Sequence, residues 1–489
     1  YPVYGSGDMR HPAIDILQEN GSRILDFRYQ DHQIIKGKPK LTDLPATYVE
    51  NDSEAQTLLI TLYDEVIQTE LILSYTIYED LPVICRNAYI KNWGKQKLVL
   101  NQIMSMSLDL PDHNYEMIEL TGAWSRERNV KNRKLEHGIQ SIYSLRGCSS
   151  NNFNPFIALK RENCNEYDGE VLGFSFVYSG NFLAQVEVDT YNVTRVMMGI
   201  HPHCFSWELK SNESFQTPEV VMVYSDKGLN AMSQTYHSLY QKRLARGRYR
   251  DQVRPILVNN WEGTYFDFDE EKIMEIAVTA KKLGIELFVL DDGWFGKRND
   301  DKAGLGDWYP NLEKLPNGIS GLAKKINDLN MKFGLWFEPE MVNKDSDLYR
   351  KHPEWTLKTP NRNSCHGRNQ YVLDFSNPKV VEYIYEMMAK VIEEGQISYI
   401  KWDMNRCMSE VYSSIHSPSS QGKVMHEYIL GVYRLYEKLT SRFPEVLFES
   451  CASGGARFDP AMMYYAPQCW TSDDTDAVER LKIQYGTSL

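Results

Sequence analysis

Charged and polar side chains alternate along residues 397–406, where a short apolar run ends. Because side chains on a strand alternate between its two faces, Lys401, Asp403 and Asn405 share one face. A lysine on the same face favours the ionised form of Asp403. The stretch therefore predicts the polar rim of a catalytic pocket. The simpler alternative is an ion pair at the end of a strand.

Acidic and aromatic residues follow other predicted strands in the same way. Paired carboxylates between aromatic walls are typical of glycoside hydrolysis. Helix capping would explain one or two of these carboxylates, but not the whole set. The sequence has no Cys/His spacing for a metal and no Gly-rich phosphate loop, so we predict neither metal nor cofactor. The strand ends are Asn260-Trp261-Glu262, Asp291-Asp292-Gly293-Trp294, Trp336-Phe337-Glu338, Asp374, Glu449-Ser450-Cys451 and Ser472-Asp473-Asp474.

The chain has two regions with different predicted secondary structure, and these must position the residues named above. Residues 1–228 contain short runs of β-branched and aromatic residues without intervening helices, which predicts a β-sandwich domain. Residues 229–252 predict a connecting helix. Residues 253–489 contain seven predicted strand–helix units, the fourth strand being Tyr371–Phe375. This alternation predicts a (β/α)8-barrel catalytic domain that lacks its last strand, with a doubly wound sheet as the alternative.

Composition excludes several classes of partner. The chain has 489 residues and a formal net charge of −12, which argues against nucleic acid and anionic membranes. No apolar run is long enough to cross a bilayer. The eight cysteines lack paired spacing, which predicts reduced thiols and a cytoplasmic protein. The chain starts at Tyr1 without an initiator Met, and we expect it to be truncated at both ends.

Five motifs, in this order and with this spacing, resemble those of the family 36 α-galactosidases of the melibiase/raffinase type. The resemblance implies a retaining exo-α-galactosidase acting on melibiose, raffinose and related small oligosaccharides. It also implies an eighth barrel strand and a further β domain in longer family members, which usually form homotetramers. The motifs are Leu290-Asp-Asp-Gly-Trp-Phe295, Gly334-Leu-Trp-Phe-Glu-Pro-Glu340, Lys401-Trp-Asp-Met-Asn-Arg406, Glu449-Ser-Cys-Ala-Ser-Gly-Gly455 and Trp470-Thr-Ser-Asp-Asp-Thr-Asp-Ala477.

The resemblance also implies two catalytic carboxylates. Asp403 matches the nucleophile of the family, and Asp473 best matches its acid/base, with Asp474 and Asp476 as rivals. Strand parity supports Asp473: if Trp470 packs outward, Asp473 points inward and Asp474 outward. Asp476 would lie beyond the end of the strand.

Further positions match sugar-binding residues of the family. Neighbours on a regular strand cannot both face the pocket, so one of Asp291 and Asp292 must use the turn at Gly293. Arg368 matches a binding position, yet its predicted place before the fourth strand is at the opposite end of the barrel. The implied substrate-binding residues are Asp291, Asp292, Trp261, Trp336, Arg368, Lys401, Asn405 and Cys451.

Two other functions fit the same pocket. A transglycosylase of the raffinose-synthase kind would differ by excluding water from the acceptor site. A non-catalytic fragment would bind galactosides without turnover.

Overall fold

The computed structural model describes residues 1–365 and 367–489. The amino-terminal part consists of strands with one 3-10 turn at Asp52–Glu54. The strands are β1 Ile14–Leu17, β2 Arg28–Lys36, β3 Ala55–Asp64, β4 Thr69–Tyr78, β5 Val83–Asn92, β6 Leu98–Leu110, β7 Glu116–Ala123, β8 Arg126–Lys134, β9 Gly138–Tyr143, β10 Phe153–Lys160, β11 Val171–Val177, β12 Phe182–Val188, β13 Thr194–Ile200, β14 Trp207–Leu209, β15 Ser214–Gln216 and β16 Glu219–Ser225.

These strands pair antiparallel in two sheets. The larger sheet has the order β2-β3-β4-β5-β16-β11-β10-β7-β8, with β15 beside β5. The smaller sheet has the order β1-β6-β13-β12-β9, with β14 beside β6. Buried side chains of both sheets, such as Ile90 and Val186, belong to one apolar cluster. Two sheets with a shared core agree with the β-rich domain that the sequence predicts.

The carboxyl-terminal part alternates between helices and short strands. Its elements are α1 Gly228–Arg243, β17 Leu257–Asn259, α2 Trp261–Thr264, α3 Glu270–Lys282, β18 Leu287–Leu290, α4 Gly318–Asp328, β19 Lys332–Phe337, β20 Met341–Asn343, α5 Asp347–Lys351, β21 Gln370–Val372, α6 Pro378–Glu394, β22 Tyr399–Trp402, α7 Val424–Arg442, β23 Leu447–Ser450, α8 Pro460–Tyr465, β24 Gln468–Cys469 and α9 Ala477–Thr487. Among the residues described here, no helix is long and apolar enough to cross a membrane.

A parallel sheet runs through this second part in the order β17-β18-β19-β22-β23-β24. Strand β18, Leu287–Leu290, is apolar and buried on both faces, which is usual for a parallel sheet covered by helices, whereas the edge strands β17 and β24 are partly exposed. The strand order follows the chain without a reversal. A doubly wound sheet reverses its order at the ligand-binding switch point, so this topology argues against that alternative.

The predicted fourth strand is wrong. Residues 370–372 do form a strand, β21, but it pairs antiparallel with β20 in a separate two-stranded sheet. The parallel sheet therefore has six strands, and β19 pairs directly with β22. An alternating apolar pattern cannot distinguish a hairpin strand from a strand of the main sheet. The segment between β19 and β22 is thus a long excursion that includes this hairpin before α6.

Helix α6, which follows the excursion, forms as its sequence predicts. The side chain of Asn377 caps the helix by accepting a hydrogen bond from the Lys379 N–H, and Pro378 occupies its first turn. The helix ends at Gly395. These local signals place the start of β22, and with it the stretch that carries Asp403.

The two parts of the chain meet at a buried carboxylate, Asp459. It caps α8 by accepting a hydrogen bond from Met462 N at 2.9 Å. It also accepts hydrogen bonds from two hydroxyls of the amino-terminal domain, Ser149 Oγ at 2.5 Å and Ser179 Oγ at 2.8 Å. Burial raises the pKa of Asp459 to about 6. One side chain therefore joins a helix cap to the contact between the domains.

We predict that Asp459→Ala destabilises the native state by about 2–4 kcal/mol, because the cap is lost and two buried hydroxyls lose their acceptor. A raised folded pKa means that the native state retains this proton to a higher pH than the unfolded chain. The contribution of Asp459 is therefore largest below its unfolded pKa of 3.8 and is lost as the pH rises through about 6. Asp459→Asn should flatten that dependence. Urea unfolding between pH 4 and 7 measures both effects.

Asp269→Ala is the matched control. Asp269 caps α3 by accepting from Lys272 N at 2.9 Å, but it is exposed and remote from the amino-terminal domain. Its loss should cost about 1 kcal/mol and leave the pH dependence unchanged. Equal losses for the two alanine variants would contradict a stabilising role of Asp459 between the domains.

Candidate active site

Asp403 directly follows β22 and is buried with four hydrogen-bond donors around its carboxylate. Oδ1 accepts from the backbone N–H groups of Met404 at 2.8 Å and Ser453 at 3.1 Å. Oδ2 accepts from Asn405 Nδ2 at 2.8 Å and from the indole Nε1 of Trp336 at 3.1 Å. Donors aimed at both oxygens stabilise the ionised form and fix the plane of the carboxylate.

Lys401 supplies the positive charge beneath this carboxylate, as the strand pattern predicts. Its Nζ donates to Asp291 Oδ2 at 2.9 Å. Burial alone would raise the pKa of Asp403, but the Lys401 ammonium and the Asn405 amide outweigh it, so the pKa lies below its ordinary value. Asp403 is therefore a buried carboxylate that stays charged at neutral pH, as a nucleophile requires.

The two neighbouring aspartates after β18 point in different directions. Asp291 reaches the Lys401 ammonium, and its Oδ1 accepts from Asp292 N at 2.9 Å. The carboxylate of Asp292 instead forms a bidentate pair with buried Arg298, at 2.9 and 2.8 Å. Gly293 follows with φ +106°, a conformation that glycine adopts without strain. The structure thus brings Asp291 into the cluster around Asp403 and anchors Asp292 on a cation beside it.

Of the two predicted tryptophan walls, only Trp336 touches the cluster. Its ring is 2% exposed and lies parallel to Phe295, with centroids 6.1 Å apart. Trp261 is not on a strand, because it begins the short helix α2. Within the described residues, its ring packs edge-on against Tyr265 and Phe266.

Asn405 and Cys451 both lie against Asp403. Asn405 donates to Asp403 through Nδ2, while its Oδ1 accepts from Ser453 Oγ at 2.8 Å. The Cys451 thiol is buried close to the Asp403 carboxylate, whose charge acts on it. Burial raises the pKa of Cys451 well above its ordinary value, so the group is a neutral thiol. Both side chains therefore help to define the immediate surroundings of Asp403.

The prediction that Arg368 lies at the wrong end of the sheet is incorrect. Arg368 belongs to the excursion between β19 and β22, and its charge lowers the pKa values of Asp403 and Glu338. The error follows from the misplaced fourth strand, because β21 pairs with β20 and is not a strand of the parallel sheet. Arg368 is exposed, with φ +53°, a left-handed conformation that is uncommon outside glycine.

Asp473 lies beyond the end of β24 and is held by two indoles. Its Oδ1 accepts from Trp470 Nε1 at 2.9 Å. Its Oδ2 accepts from Trp124 Nε1 at 2.9 Å, and Trp124 belongs to the turn between β7 and β8 of the other domain. Trp470 packs against Arg480 of α9, as expected of an outward-facing ring, but its hydrogen bond to Asp473 shows that the predicted opposite parity of the two side chains is wrong. Strand β24 ends at Cys469, so the alternation of faces does not extend to these residues.

The rivals of Asp473 are engaged with nearby backbone. Asp476 caps α9 by accepting from Val478 N and Glu479 N at 2.9 and 3.0 Å. Asp474 accepts from Asp476 N at 2.9 Å. Their carboxylates thus serve local turns. Asp473 is the aspartate of this group that side chains hold in place.

Three residues near these carboxylates have no assigned role in the site predicted by sequence. Glu338 is one of the predicted strand-end carboxylates, and in the structure it directly follows β19. Ser453 is near Cys451 in the sequence, but it lies past the end of β23. No sequence pattern identifies Trp124, because its contact with Asp473 spans 349 residues.

Comparisons with known proteins cover the whole chain. The Melibiase family model matches residues 214–489, and that of the glycosyl hydrolase family 36 N-terminal domain matches residues 1–210. Alpha-galactosidase AgaA of Geobacillus stearothermophilus is 59% identical over 489 residues, which are 100% of this chain and 67% of that protein. Alpha-galactosidase Mel36A of Lactobacillus acidophilus is 48% identical, with the same coverage of both proteins.

Solved structures agree with these matches. The crystal structure of AgaA superposes with a TM-score of 0.99 at 59% identity, covering 100% of this chain and 68% of the AgaA chain. An AgaA variant in complex with raffinose gives the same TM-score and coverage at 58% identity. This chain therefore spans about two thirds of the length of these relatives. It belongs to glycoside hydrolase family 36 and is a glycosidase of the α-galactosidase class.

Proposed function

We propose that the chain hydrolyses terminal α-D-galactosyl residues by double displacement with retention of configuration. Asp403 attacks the anomeric carbon and forms a covalent galactosyl ester, while Asp473 protonates the departing glycosidic oxygen. Asp473 then removes a proton from the water that cleaves the ester. The observation that carries the proposal is the buried, charged carboxylate of Asp403 with its four aligned donors and Lys401 two residues away.

The proposed substrates are melibiose, raffinose and related α-galactosides. Support comes from the AgaA variants whose structures contain raffinose and stachyose. In this chain, charged partners suited to sugar hydroxyls surround Asp403, since carboxylates, ammonium and guanidinium groups form strong hydrogen bonds with them. The residues that we assign to the substrate are Asp291, Asp292, Trp261, Trp336, Arg368, Lys401, Asn405 and Cys451.

We further infer that the parallel strands are six of the eight in a (β/α)8 barrel. The sequential strand order supports this inference, as does the clustering of carboxylates beyond the carboxyl ends of β18, β19 and β22. Barrels of this kind carry their catalytic groups at that end. We assign the sugar to the same end of the strands, because the carboxylates cluster there.

We predict that Asp403→Ala reduces turnover by more than about 10³-fold for every leaving group, because no covalent intermediate can form. Azide should restore activity and release β-galactosyl azide, since a small anion can occupy the space left by the carboxylate. Kinetics on melibiose and on p-nitrophenyl α-galactoside, with NMR of the azide product, provide the measurement. Asp474→Asn, which alters an aspartate engaged with local backbone, is the control. Substantial aryl-galactoside turnover by Asp403→Ala would refute the assignment.

Asp473→Ala should affect the two substrates differently. Melibiose has a poor leaving group that needs a proton, so its turnover should fall by about 10²–10⁴-fold. An activated aryl galactoside needs little protonation, and its galactosylation step should be largely preserved. The ratio of kcat/KM values for the two substrates is the quantity to measure. Equal losses on both would show that Asp473 is not the general acid.

Trp124 offers a test of the contact between the domains. Trp124→Phe keeps an aromatic ring but removes the N–H that holds Asp473 Oδ2. Turnover of melibiose should fall by about tenfold, the cost of one hydrogen bond to a charged group, while the aryl substrate should change much less. Trp93→Phe, in another exposed tryptophan of the same domain, should leave both rates unchanged. Wild-type kinetics in the Trp124 variant would show that this hydrogen bond does not position Asp473.

A further inference from the structure

A second carboxylate, Glu338, lies beside Asp403 and takes no part in the double displacement. In the sheet, Trp336 pairs with Lys401 and Phe337 with Trp402, so the next positions along the two strands are Glu338 and Asp403. Glu338 is completely buried. It follows β19 directly, and its carboxylate contacts Asn405 of the cluster. Because Glu338 is buried, its role must lie in its contacts with neighbouring groups of the protein.

Glu338 accepts two hydrogen bonds from Asn405, the residue whose side chain donates to Oδ2 of Asp403. Its Oε1 accepts from Asn405 N at 2.5 Å, and its Oε2 accepts from Asn405 Nδ2 at 3.1 Å. The same Nδ2 donates to Asp403 Oδ2 at 2.8 Å, while Ser453 Oγ donates to the amide oxygen. Every polar atom of the Asn405 side chain is thus directed by a neighbour. The plane of the Asp403 carboxylate depends on this clamp.

Burial and the neighbouring charge of Asp403 disfavour the ionised form of Glu338. Lys401 and Arg298 are already paired with Asp291 and Asp292, and no salt bridge to Glu338 occurs among residues 1–365 and 367–489. Arg298 and Arg368 attract a negative charge on Glu338, whereas Asp403 repels it. Burial, followed by the Asp403 charge, raises the pKa of Glu338 to about 8. At neutral pH, Glu338 therefore keeps its proton, and Asp403 carries the negative charge of the pair.

Gln370 offers an acceptor for a proton on Glu338 in one of the two orientations of its side-chain amide. Gln370 is wholly buried, its Nε2 lies 2.9 Å from Glu338 Oε2, and its Oε1 has no hydrogen-bond partner. The oxygen and nitrogen of a side-chain amide exchange places when the group is turned over. Turned in this way, Gln370 presents Oε1 to Glu338 Oε2 as the acceptor for its proton.

We propose that Glu338 is a positioning residue for Asp403 and acts in its protonated form. It clamps Asn405 against the nucleophile without placing a second negative charge beside the reacting centre. The inference rests on the proposed role of Asp403 as nucleophile.

Steady-state kinetics on p-nitrophenyl α-galactoside test the positioning role. Glu338→Ala frees Asn405, and misplacement of the nucleophile should lower kcat on the order of 10²-fold, with KM within about threefold. Glu338→Gln is a neutral analogue of the protonated acid and should retain kcat within about tenfold at pH 6–7. Glu313→Gln, in an exposed glutamate, is the control. Thermal unfolding shows whether each variant is folded, and Glu338→Gln carries the test if Glu338→Ala is not.

A pH profile tests the protonated form. The Asp473→Ala background with a 2,4-dinitrophenyl α-galactoside and azide removes the titration of the general acid from the profile. There, kcat should decline as the pH rises through about 8, where Glu338 loses its proton. In the Asp473→Ala/Glu338→Gln double variant, this decline should be absent. A decline at the same pH in both proteins would overturn the proposal.

Other outcomes also decide the question. Wild-type kcat in Glu338→Ala, or a rise in KM as large as the fall in kcat, would exclude a positioning role. A loss above about 10³-fold in a folded Glu338→Gln would show that the ionised form is required. These results leave the proposed function intact as long as Asp403→Ala is inactive. Full aryl turnover by Asp403→Ala would instead overturn the proposed function itself.

Discussion

Burial of the Asp403 carboxylate removes it from water, and a charge survives there only where protein dipoles and cations replace the lost solvation. Four N–H donors and the Lys401 ammonium do so. Because donors contact both oxygens, they also fix the orientation of the carboxylate. The ionisation of Asp403, which its proposed nucleophilic role requires, and the alignment of its carboxylate therefore have the same structural cause, and neither can be changed without affecting the other.

The contacts of Trp402 on the outer side of β22 determine how Asp403 is presented on the inner side. Trp402 stacks on Tyr436 of α7, with ring centroids 3.9 Å apart, and its Nε1 donates to Glu340 at 2.9 Å. Glu340 is wholly buried in an ion pair with Arg457 and also accepts from Tyr428. Because adjacent residues on a strand face opposite sides, locking Trp402 against the helices sets the direction of Asp403. Removal of one partner from such a buried pair costs about 3–5 kcal/mol, which makes this support rigid.

Sequence reasoning succeeds where a regular strand converts spacing into direction. The alternation that starts in β22 predicts Lys401, Asp403 and Asn405 on one side, and the three do lie together, although the strand ends at Trp402. It fails where the backbone leaves the strand: Tyr371–Phe375 turned out to be part of a hairpin, and Trp470 follows a strand of only two residues. Glu338 had the right parity, but its role depends on partners from other elements. The contact of Trp124 depends on how two domains dock, which no local pattern records.

The contact between the two domains also positions Asp473, the proposed acid. Arg128 extends from β8 into the second domain, where its Nε donates to Thr487 Oγ1 at 2.7 Å, and its guanidinium also donates to the carbonyl of Thr471. Thr487 ends α9, and Thr471 lies two residues before Asp473. The amino-terminal domain thus holds both ends of the segment that carries Asp473, and Trp124 holds its carboxylate directly. Asp403, the proposed nucleophile, is positioned by the sheet, whereas Asp473, the proposed acid, is positioned across a domain boundary. Relative motion of the two domains would therefore change the distance between the two carboxylates, and with it the rate of the chemistry, even with Asp403 itself undisturbed.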